Sequence, residues 1–456
     1  MDRVIGMNTE NRTWDVIVLG GGVSGCMAAI AAARQGADTL LVEQYGFLGG
    51  SLTNAGVGPM MTFHAGARQV VTGIPQELVD RMCALGGCLG HIEDTTGYAS
   101  SVTPFDVEIM KLALDQLTQE SGVQVLFHAR LVSADRTGDE LSSVCVQTRG
   151  GLLTLKGRVF VDATGDGALS AAAGAQVCQG RELDGFCQPM TTNMKVRGVD
   201  IAALKEEIRR EPENFNIRDL DALDRSPRLS VAGFYRQFNR AKQQGELTTA
   251  REDVLLFETV VPGEVIVNTT RIVLLNPTDA WDLSLAEQQG RKQAHELMQF
   301  FRRYCVGFEQ AELVSTGVQI GVRESRRVLG EYLLTAEDLL ESKPFEDTVA
   351  LGGYPIDIHN PTGAKTETTH LKPGQFYYIP LRALIVKGLD NLLVCGRCIS
   401  ATHEAGAAIR VTPIAMGVGQ AAGAAAGLAA ASEIVLRTLS PEKVRRALVL
   451  LGATVD

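Results

Sequence analysis

A glycine-rich hexapeptide near the amino terminus has the residue types and spacing of a phosphate-binding turn. Gly20, Gly22 and Gly25 occupy the glycine positions of the pattern G-x-G-x-x-G. The first permits a tight turn, the second lets the backbone approach a pyrophosphate, and the third lets the next helix pack on the strand. Glu43 stands near the ~20-residue spacing at which a carboxylate accepts from ribose hydroxyls. The pattern predicts a dinucleotide site without a 2′-phosphate, rather than a glycine turn without a ligand.

Two further segments of small residues are candidates for contact with the same ligand. They are Gly49, Gly50 and Ser51, and Ala163, Thr164 and Gly165. Small side chains at the carboxyl edge of a parallel sheet leave room for a ligand to pass close to the backbone. Both segments are also compatible with ordinary turns, because Gly, Ser and Thr are frequent turn residues.

A long segment near the carboxyl terminus consists almost entirely of small and apolar residues. Gly419, Gly423 and Gly427 repeat every four residues, which predicts a bare stripe on one helix face where another backbone can pack closely. Pro413 suits the first turn of this helix, whose amino terminus would stabilise negative charge on a ligand. Residues 411–432 carry no charge, but their Gly, Ala, Thr, Pro and Gln content transfers poorly into lipid. We therefore expect a buried helix rather than a membrane span.

Four residues are candidates for chemistry on a substrate: Arg323, Glu324, His403 and Arg410. Arginine presents a planar fork that matches carboxylates and phosphates, and histidine exchanges protons near neutral pH. Two structural alternatives stay open. Glu324 could pair with a neighbouring arginine, and His403 could simply satisfy a buried polar group. Weaker candidates are His64, Tyr354, His359 and Tyr378.

Cys395 and Cys398 form a C-x-x-C pair, which some enzymes use as a redox disulfide. Cys395 ends an apolar strand, however, and buried cysteines often behave as small hydrophobic residues. The spacing of the histidines and cysteines does not match a metal site, so no metal is predicted.

The predicted elements place these residues on an α/β fold. Residues 14–19, 23–35 and 39–42 form a strand, helix and strand, which the crossover rule makes a parallel βαβ unit. We predict a helix starting at Thr103 and Pro104, followed by a β-meander over residues 123–162.

A second unit is predicted between the two ends of the chain. Residues 176–375 have a different pattern of strands and helices, including a helix that begins with Ser284 and Glu287 as a capping box. Residues 391–395 then resume the first pattern. We therefore assign residues 12–175 and 376–456 to one discontinuous domain and residues 176–375 to an inserted α+β substrate domain.

Composition restricts the class of protein further. The chain has 456 residues and a net charge of −10, which argues against nucleic acid and anionic membranes as partners. Nine cysteines without a disulfide framework, and a polar segment 1–13 without a signal sequence, favour a reduced, cytoplasmic location.

Taken together, the motifs resemble a known family. The segments WDVIVLGGGVSG, LLVEQYGFLGG, VFVDATGDGALSAAAGA, GVRESRRVLGEY, FYYIPLRALI and NLLVCGRCISATHEAGAAIRVTPIAMGVGQAAGAAAG run from about residue 14 to residue 428. They are similar to the FAD-dependent oxidoreductases of the glutathione-reductase-like flavoprotein superfamily, and most of all to its FAD_oxidored group. The resemblance implies a Rossmann-like FAD-binding domain with extended, non-covalently bound FAD, because no histidine follows Gly50 directly, where related flavoproteins attach their flavin.

The resemblance also implies roles for individual residues. Gly20, Gly22 and Gly25 would hold the pyrophosphate, Glu43 the adenosine ribose, and the backbone near Val132 the adenine. The helix after Pro413 would direct its dipole at the flavin ring. The remaining residues expected at the cofactor are Val23, Ser24, Gly49, Gly50, Ser51, Ala163, Thr164, Gly165, Gly396, Arg397, Ala408 and Ile409.

The expected activity is hydride transfer between FAD and a small polar substrate, with carboxylated molecules among the candidates. Two alternatives remain: a fumarate-reductase-like enzyme that reduces C=C bonds with an external donor, and a non-catalytic FAD-binding protein. A second G-x-G-x-x-G unit does not occur in the middle of the chain. The electron donor or acceptor is therefore unknown, and a homo-oligomer is possible.

Overall fold

The computed structural model describes residues 12–456, so most of the amino-terminal segment on which the location was argued lies outside the described residues. The strands are β1 Thr13–Leu19, β2 Thr39–Val42, β3 Met60–Met61, β4 His64–Ala65, β5 Arg68–Gln69, β6 Val102–Thr103, β7 Gln124–Leu126, β8 Arg130–Thr137, β9 Glu140–Thr148, β10 Gly151–Asp162, β11 Val177–Gln179 and β12 Met194–Arg197. They continue with β13 Phe215–Asn216, β14 Ser230–Gly233, β15 Val254–Glu258, β16 Val265–Val267, β17 Glu312–Thr316, β18 Arg326–Val328, β19 Thr348–Gly352, β20 Ile356–His359, β21 Thr366–Thr369, β22 Tyr377–Pro380 and β23 Leu392–Val394.

The α-helices surround and connect these strands. They are α1 Val23–Arg34, α2 Ile74–Ala84, α3 Val107–Glu120, α4 Ala168–Ala172, α5 Ile201–Arg210, α6 Ala222–Arg225, α7 Tyr235–Gln243, α8 Ala280–Tyr304, α9 Ala336–Leu340, α10 His403–Ile409, α11 Thr412–Ser432 and α12 Pro441–Leu450.

The first sheet has the predicted α/β architecture. Its strand order is β7-β2-β1-β10-β9-β8, and β23 pairs with β10. Strands β7, β2, β1, β10 and β23 run parallel, while β8, β9 and β10 form the antiparallel meander. The carboxyl ends of β1, β2 and β10 therefore meet at one edge, where a ligand can bind.

Helices α1 and α11 pack against each other at unusually short distance. A Cβ atom added at Gly419 would lie 2.1 Å from the carbonyl oxygen of Ser24, and one at Gly423 would lie 2.0 Å from that of Ala28. Because successive contacts advance by four residues on both helices, the helices run parallel and their amino termini lie at the same end. The glycine stripe predicted from sequence is confirmed as a helix contact, and the charge-free segment is a helix that is mostly buried in the protein core.

A second sheet has the order β13-β14-β15-β16-β12-β17. Its apolar face, with α5, α7 and α8, builds a separate hydrophobic core from residues 194–311. Val328, Leu351 and Tyr354 instead pack in the core of the first sheet. The packing thus favours an inserted unit that ends well before residue 375. The division into residues 12–175 with 376–456 and residues 176–375 remains a prediction.

Two predicted helix starts are wrong. Helix α3 begins at Val107, where the carboxylate of Asp106 accepts from the backbone of Glu108 and Ile109, while Thr103 pairs in β6. Helix α8 begins at Ala280 with Asp279 as its cap, so the hydroxyl of Ser284 lies inside the helix and donates to the carbonyl of Ala280. In both regions an aspartate offers a stronger acceptor for the free amide groups than the predicted start provides.

We expect Gly423→Ala to lower the free energy of unfolding by about 3 kcal/mol, because the added methyl group collides with the Ala28 carbonyl and forces the helices apart. Gly417→Ala is the matched control in the same helix, since its Cβ would meet Ala350 and Val71 at 3.9 Å. That control should be neutral or stabilising by up to about 1 kcal/mol. Urea unfolding with FAD in fixed excess measures both, and equal stability of the two variants would contradict the close packing.

Candidate active site

The turn between β1 and α1 forms a cradle that only glycine allows. Gly20 has φ +106°, and a Cβ there would lie 2.4 Å from the carbonyl oxygen of Ala163. A Cβ at Gly25 would lie 1.8 Å from the carbonyl oxygen of Gly20. Helix α1 starts after Gly22, and no described side chain caps its amino terminus. The free amide groups of this first turn fit the pyrophosphate of a dinucleotide.

Glu43 closes the side of this cradle. Its carboxylate is buried and accepts hydrogen bonds from the backbone amides of Gly21 at 2.6 Å and Tyr45 at 2.8 Å. Burial raises the pKa of Glu43 above its usual value. The carboxylate is therefore held in place at the carboxyl end of β2, as the predicted ribose contact requires.

Segment Gly49–Ser51 lies directly against the turn. Gly22 and Gly49 form a parallel bridge, and a Cβ at Gly50 would lie 2.7 Å from the Cα of Gly22. The backbones at Gly22 and Gly50, both without side chains, thus line one crevice, which we call the cofactor crevice. Ser51, the next residue, lines a cavity that begins there. The contact of this segment with a ligand remains a prediction.

The other predicted cofactor residues lie on neighbouring elements. The buried carboxylate of Asp162 fixes the Ala163–Gly165 turn by accepting from the amide and hydroxyl of Thr164. Arg397 pairs with Asp166 and contacts Gly165, and Gly396 faces the hydroxyl of Ser24. Ala408 and Ile409 are buried in α10, whereas Val132 on β8 is 53% exposed. Their contacts with a cofactor remain predictions.

A cavity of about 660 Å³ joins this crevice to the second sheet. One end is lined by Ser51, Arg397 and Thr412, the last being the first residue of α11. No side chain of the described chain caps the amino terminus of α11, so its free amide groups face this end. The other end is lined by the second sheet and by the β20–β21 hairpin.

Two of the predicted catalytic residues line the cavity. Arg323 donates to the carbonyl of Pro189 at 2.8 Å, to the Asn268 amide oxygen at 3.1 Å, and to the hydroxyl of Thr191. Desolvation lowers the pKa of Arg323 well below its usual value, and the charge of Arg410 acts in the same direction. Arg410 itself lies 3.6 Å from a carboxylate oxygen of Asp357.

Two further arginines complete a cationic cluster, and sequence reasoning missed both. Arg251 pairs with Asp253 at 3.0 Å and lines the cavity. Arg271 is buried and donates to backbone carbonyls at the tip of the β20–β21 hairpin, including that of Gly363. Burial, together with the charge of Arg251, lowers the pKa of Arg271 to about 10. These arginines stand outside any recognisable motif, and only the fold brings them together.

His359 and Asp357 form a buried pair on β20 that faces the cavity. Arg271 donates to Nδ1 of His359 at 2.7 Å, so the proton of the imidazole sits on Nε2 and is donated to Asp357 at 3.2 Å. Burial lowers the pKa of His359 to about 3. Burial alone would raise the pKa of Asp357, but His359 and Arg410 outweigh it and hold that pKa well below the usual value. Tyr354 donates its hydroxyl to Asp357 at 3.4 Å.

The sequence profile described as FAD dependent oxidoreductase matches residues 15–448, which is nearly the whole chain. The chain belongs to this family. The flavoprotein is also similar to solved structures, among them the flavin-dependent brominase Bmp2, which is 14% identical with a TM-score of 0.51, covering 95% of this chain and 83% of that one. At this identity the likeness shows the fold alone.

Two other solved structures are similar over most of the chain. A geranylgeranyl bacteriochlorophyll reductase-like protein from Thermoplasma acidophilum is 12% identical, with a TM-score of 0.48, and 97% of this chain and 83% of that chain are covered. The p-nitrophenol 4-monooxygenase PnpA from Pseudomonas putida is 10% identical, with a TM-score of 0.46, and 96% of this chain and 86% of that chain are covered.

The structure places the other two catalytic candidates away from the cavity lining. Glu324 is buried, pairs with Arg327, and accepts from Nδ1 of His403 at 2.9 Å and from the backbone amide of Gln188 at 3.0 Å. His403 is buried at the start of α10, and neither residue is among the cavity-lining residues of the described chain. Glu324 and His403 thus belong to a buried cluster with Arg327, and a role of either residue on the substrate remains a prediction.

The weaker candidates divide in the same way. Tyr354 and His359 line the cavity, whereas His64 bonds to the hydroxyl of Ser101 away from it. Tyr378 pairs in β22, also outside the cavity lining of the described chain.

Cys395 and Cys398 are free and buried, and burial raises the pKa of both thiols far above the usual value. Their protonated form disfavours redox exchange.

We expect Glu43→Gln to weaken FAD binding by about tenfold, because the neutral amide has a single oxygen acceptor for the two backbone amides and offers ribose hydroxyls a weaker acceptor. Glu77→Gln, at an exposed carboxylate on α2, is the control. Equilibrium titration of the apoprotein with FAD, followed by flavin fluorescence, measures both. Equal affinity of Glu43→Gln and the wild type would show that Glu43 makes no cofactor contact.

The depressed pKa of His359 predicts loss of stability in mild acid. Its pKa of about 3 lies below the 6.5 of an unfolded histidine, so between these values the unfolded chain binds more protons. Stability is therefore lost as pH falls through this window, by up to about 1.4 kcal/mol per pH unit. In urea unfolding between pH 6.5 and 5, His359→Asn should make the free energy of unfolding depend less on pH. His295→Asn, at an exposed position, should leave this dependence unchanged. Equal slopes for both variants would contradict a neutral His359.

Proposed function

We propose that this flavoenzyme transfers a hydride between FAD and a small polar substrate that carries a carboxylate and binds in the cavity beside the cofactor crevice. The observation that supports this most directly is the charge of the cavity. Arg251, Arg323, Arg397 and Arg410 line it, and Arg271 is buried beside it. Within residues 12–456 three of these arginines pair with a carboxylate, Arg251 with Asp253, Arg410 with Asp357 and Arg397 with Asp166, whereas Arg323 and Arg271 form no ion pair. An anionic substrate would supply the missing negative charge.

The depressed pKa values support the same conclusion. Burial above all, and the cationic neighbours in addition, make the charges of Arg323 and Arg271 less favourable than they are in water. A bound carboxylate would relieve this repulsion and could accept from the planar guanidinium group of Arg323. Arg323 and Arg410 would then fix the orientation of the substrate.

FAD, when bound, supplies the hydride acceptor or donor. The protein chain itself therefore has to bind the substrate, orient it, and exclude water from the site. Asp357 is ionised and accepts from Tyr354 and His359, which leaves it a weak base. Both nitrogens of His359 are engaged. Among the described cavity residues, orientation and charge are therefore the main contributions, and a substrate that needs no strong base is favoured.

A second candidate function is the reduction of the C=C bond of an unsaturated acid. The cavity supports it as well, because the carboxylate of an unsaturated acid would bind at Arg323 and Arg410 in the same way. The proposals differ in direction: oxidation of a saturated acid reduces the flavin, whereas reduction of an unsaturated acid oxidises the reduced flavin. The cytoplasmic location and the unidentified electron partner remain parts of the proposal.

An anaerobic screen distinguishes the two directions. Hydroxy acids and amino acids should bleach the oxidised flavin band if the first proposal holds, and fumarate or related acids should restore the band of dithionite-reduced enzyme if the second holds. Uncharged amide analogues of the active acid should react at least about tenfold more slowly, because they cannot form a charge-assisted pair.

Arg323→Met tests the carboxylate contact directly. The variant should keep its FAD but raise the Kd of the active acid by at least about tenfold, since a charged hydrogen-bonding partner is lost. Arg236→Gln, on the exposed surface of α7, is the matched arginine control. Unchanged affinity in Arg323→Met, or equal reaction of acid and amide, would contradict the proposed function.

A further inference from the structure

The cavity extends from the cofactor crevice across five of the six strands of the second sheet, up to the edge strand β13. Five of its lining residues are Asn193, Asn268, Leu255, Ala232 and Asn216. They lie on, or next to, the five neighbouring strands β12, β16, β15, β14 and β13.

These five residues stand side by side in one cross-strand row. Ala232 pairs with Leu255 on one side and with Asn216 on the other. Asn268 donates its backbone amide to the carbonyl of Leu255 at 2.8 Å, and continuing the β12–β16 register by one residue places Asn193 opposite Asn268. Directly opposed residues direct their side chains to the same face of a sheet. The row is therefore the continuous floor of the cavity.

The length of the floor follows from the sheet itself. Four spacings between neighbouring strands, each about 4.8 Å, give a row of about 19 Å. The Asn193 end lies at the cofactor crevice, because its side-chain amide donates to the carbonyl of Ala55 at 2.9 Å, close to the Gly49–Ser51 segment. The Asn216 end is exposed, and the exposed Asn239 and Glu252 flank it. A ligand on this floor would reach from the cofactor to solvent.

The chemistry of the row changes along its length. Asn193 and Asn268 provide amide groups near Arg323, Leu255 and Ala232 provide an apolar middle, and Asn216 provides an amide at the open end. A pocket binds the ligand whose polar and apolar parts match this order. We infer that the substrate is an elongated carboxylic acid with an apolar middle and a hydrogen-bonding group at its far end. This inference rests on the proposed function, because it places the acid group at the arginines.

Three defined acids test the inference on the FAD-loaded enzyme. They are γ-hydroxybutyrate, which fills only the arginine end, ω-hydroxylaurate, which spans most of the row, and laurate, which lacks the far hydroxyl group. Perturbation of the flavin absorption spectrum gives a Kd for each. We expect ω-hydroxylaurate to bind at least about tenfold tighter than γ-hydroxybutyrate, because each buried methylene group adds affinity, and about threefold tighter than laurate, because of the hydrogen bond at Asn216.

Variants locate the effect on the floor. Ala232→Trp should block the row, so that the short and the long hydroxy acid bind with nearly equal Kd. Ala232→Leu adds less volume and should reduce the difference between the two Kd values by a smaller amount. Asn216→Leu, at an exposed position, should abolish the preference for ω-hydroxylaurate over laurate. Arg236→Gln, exposed on α7 beside the same end, should keep all three ratios.

The outcomes separate this inference from the proposed function. Equal Kd values for the short and long hydroxy acids, or an unchanged ratio in a folded Ala232 variant, overturn the elongated substrate while Arg323-dependent binding of the short acid still supports the proposed function. Failure of all three acids to bind, or binding that Arg323→Met leaves unchanged, overturns both.

Discussion

The contact between α1 and α11 is the constraint on which the cofactor site depends. Gly419 and Gly423 let the two backbones approach so closely that Ser24 and Ala28 present their carbonyl oxygens where a Cβ would stand. The hydroxyl of Ser24 also donates to the carbonyl of Ala415 at 2.8 Å. Because the helices are parallel, their positive ends lie side by side and repel each other. A dinucleotide with negative charge at this end offsets that repulsion, so cofactor binding and helix packing stabilise each other.

Much of this arrangement is visible in the sequence because it depends on local geometry. A turn between a strand and a helix needs glycine at fixed positions, and a close helix contact needs glycine every four residues, so Gly20, Gly25 and Gly423 have detectable patterns. The same reasoning overlooked Asp106 and Asp279 as helix caps. Several residues near each helix start can accept from free amide groups, and the packing of the rest of the chain decides which one does.

The substrate side of the cavity could be predicted only in part. Arg323 and Arg410 stood out through their neighbours in sequence, but Arg251 precedes β15 and Arg271 follows β16 in the second sheet, with no motif around either residue. Their relation to Asp357 arises when the β20–β21 hairpin packs across that sheet. Glu324 shows a different limit: its arginine-rich surroundings suggested chemistry, and in the fold it pairs with Arg327 and accepts from His403 away from the cavity lining. Charge in a sequence shows that a partner is needed and leaves open which partner it is.

The protonation state of His359 explains how the fold tolerates so many cations in one cavity. Buried charges without opposite charges destabilise a protein, and a protonated imidazole would add another positive charge to those of the arginines around the cavity. Arg271 prevents this by donating to Nδ1, since a nitrogen that accepts this bond cannot carry a proton. The remaining proton on Nε2 is then directed at Asp357, which keeps that carboxylate ionised beside Arg410. A single guanidinium therefore fixes the tautomer of His359 and anchors the hairpin tip through Gly363.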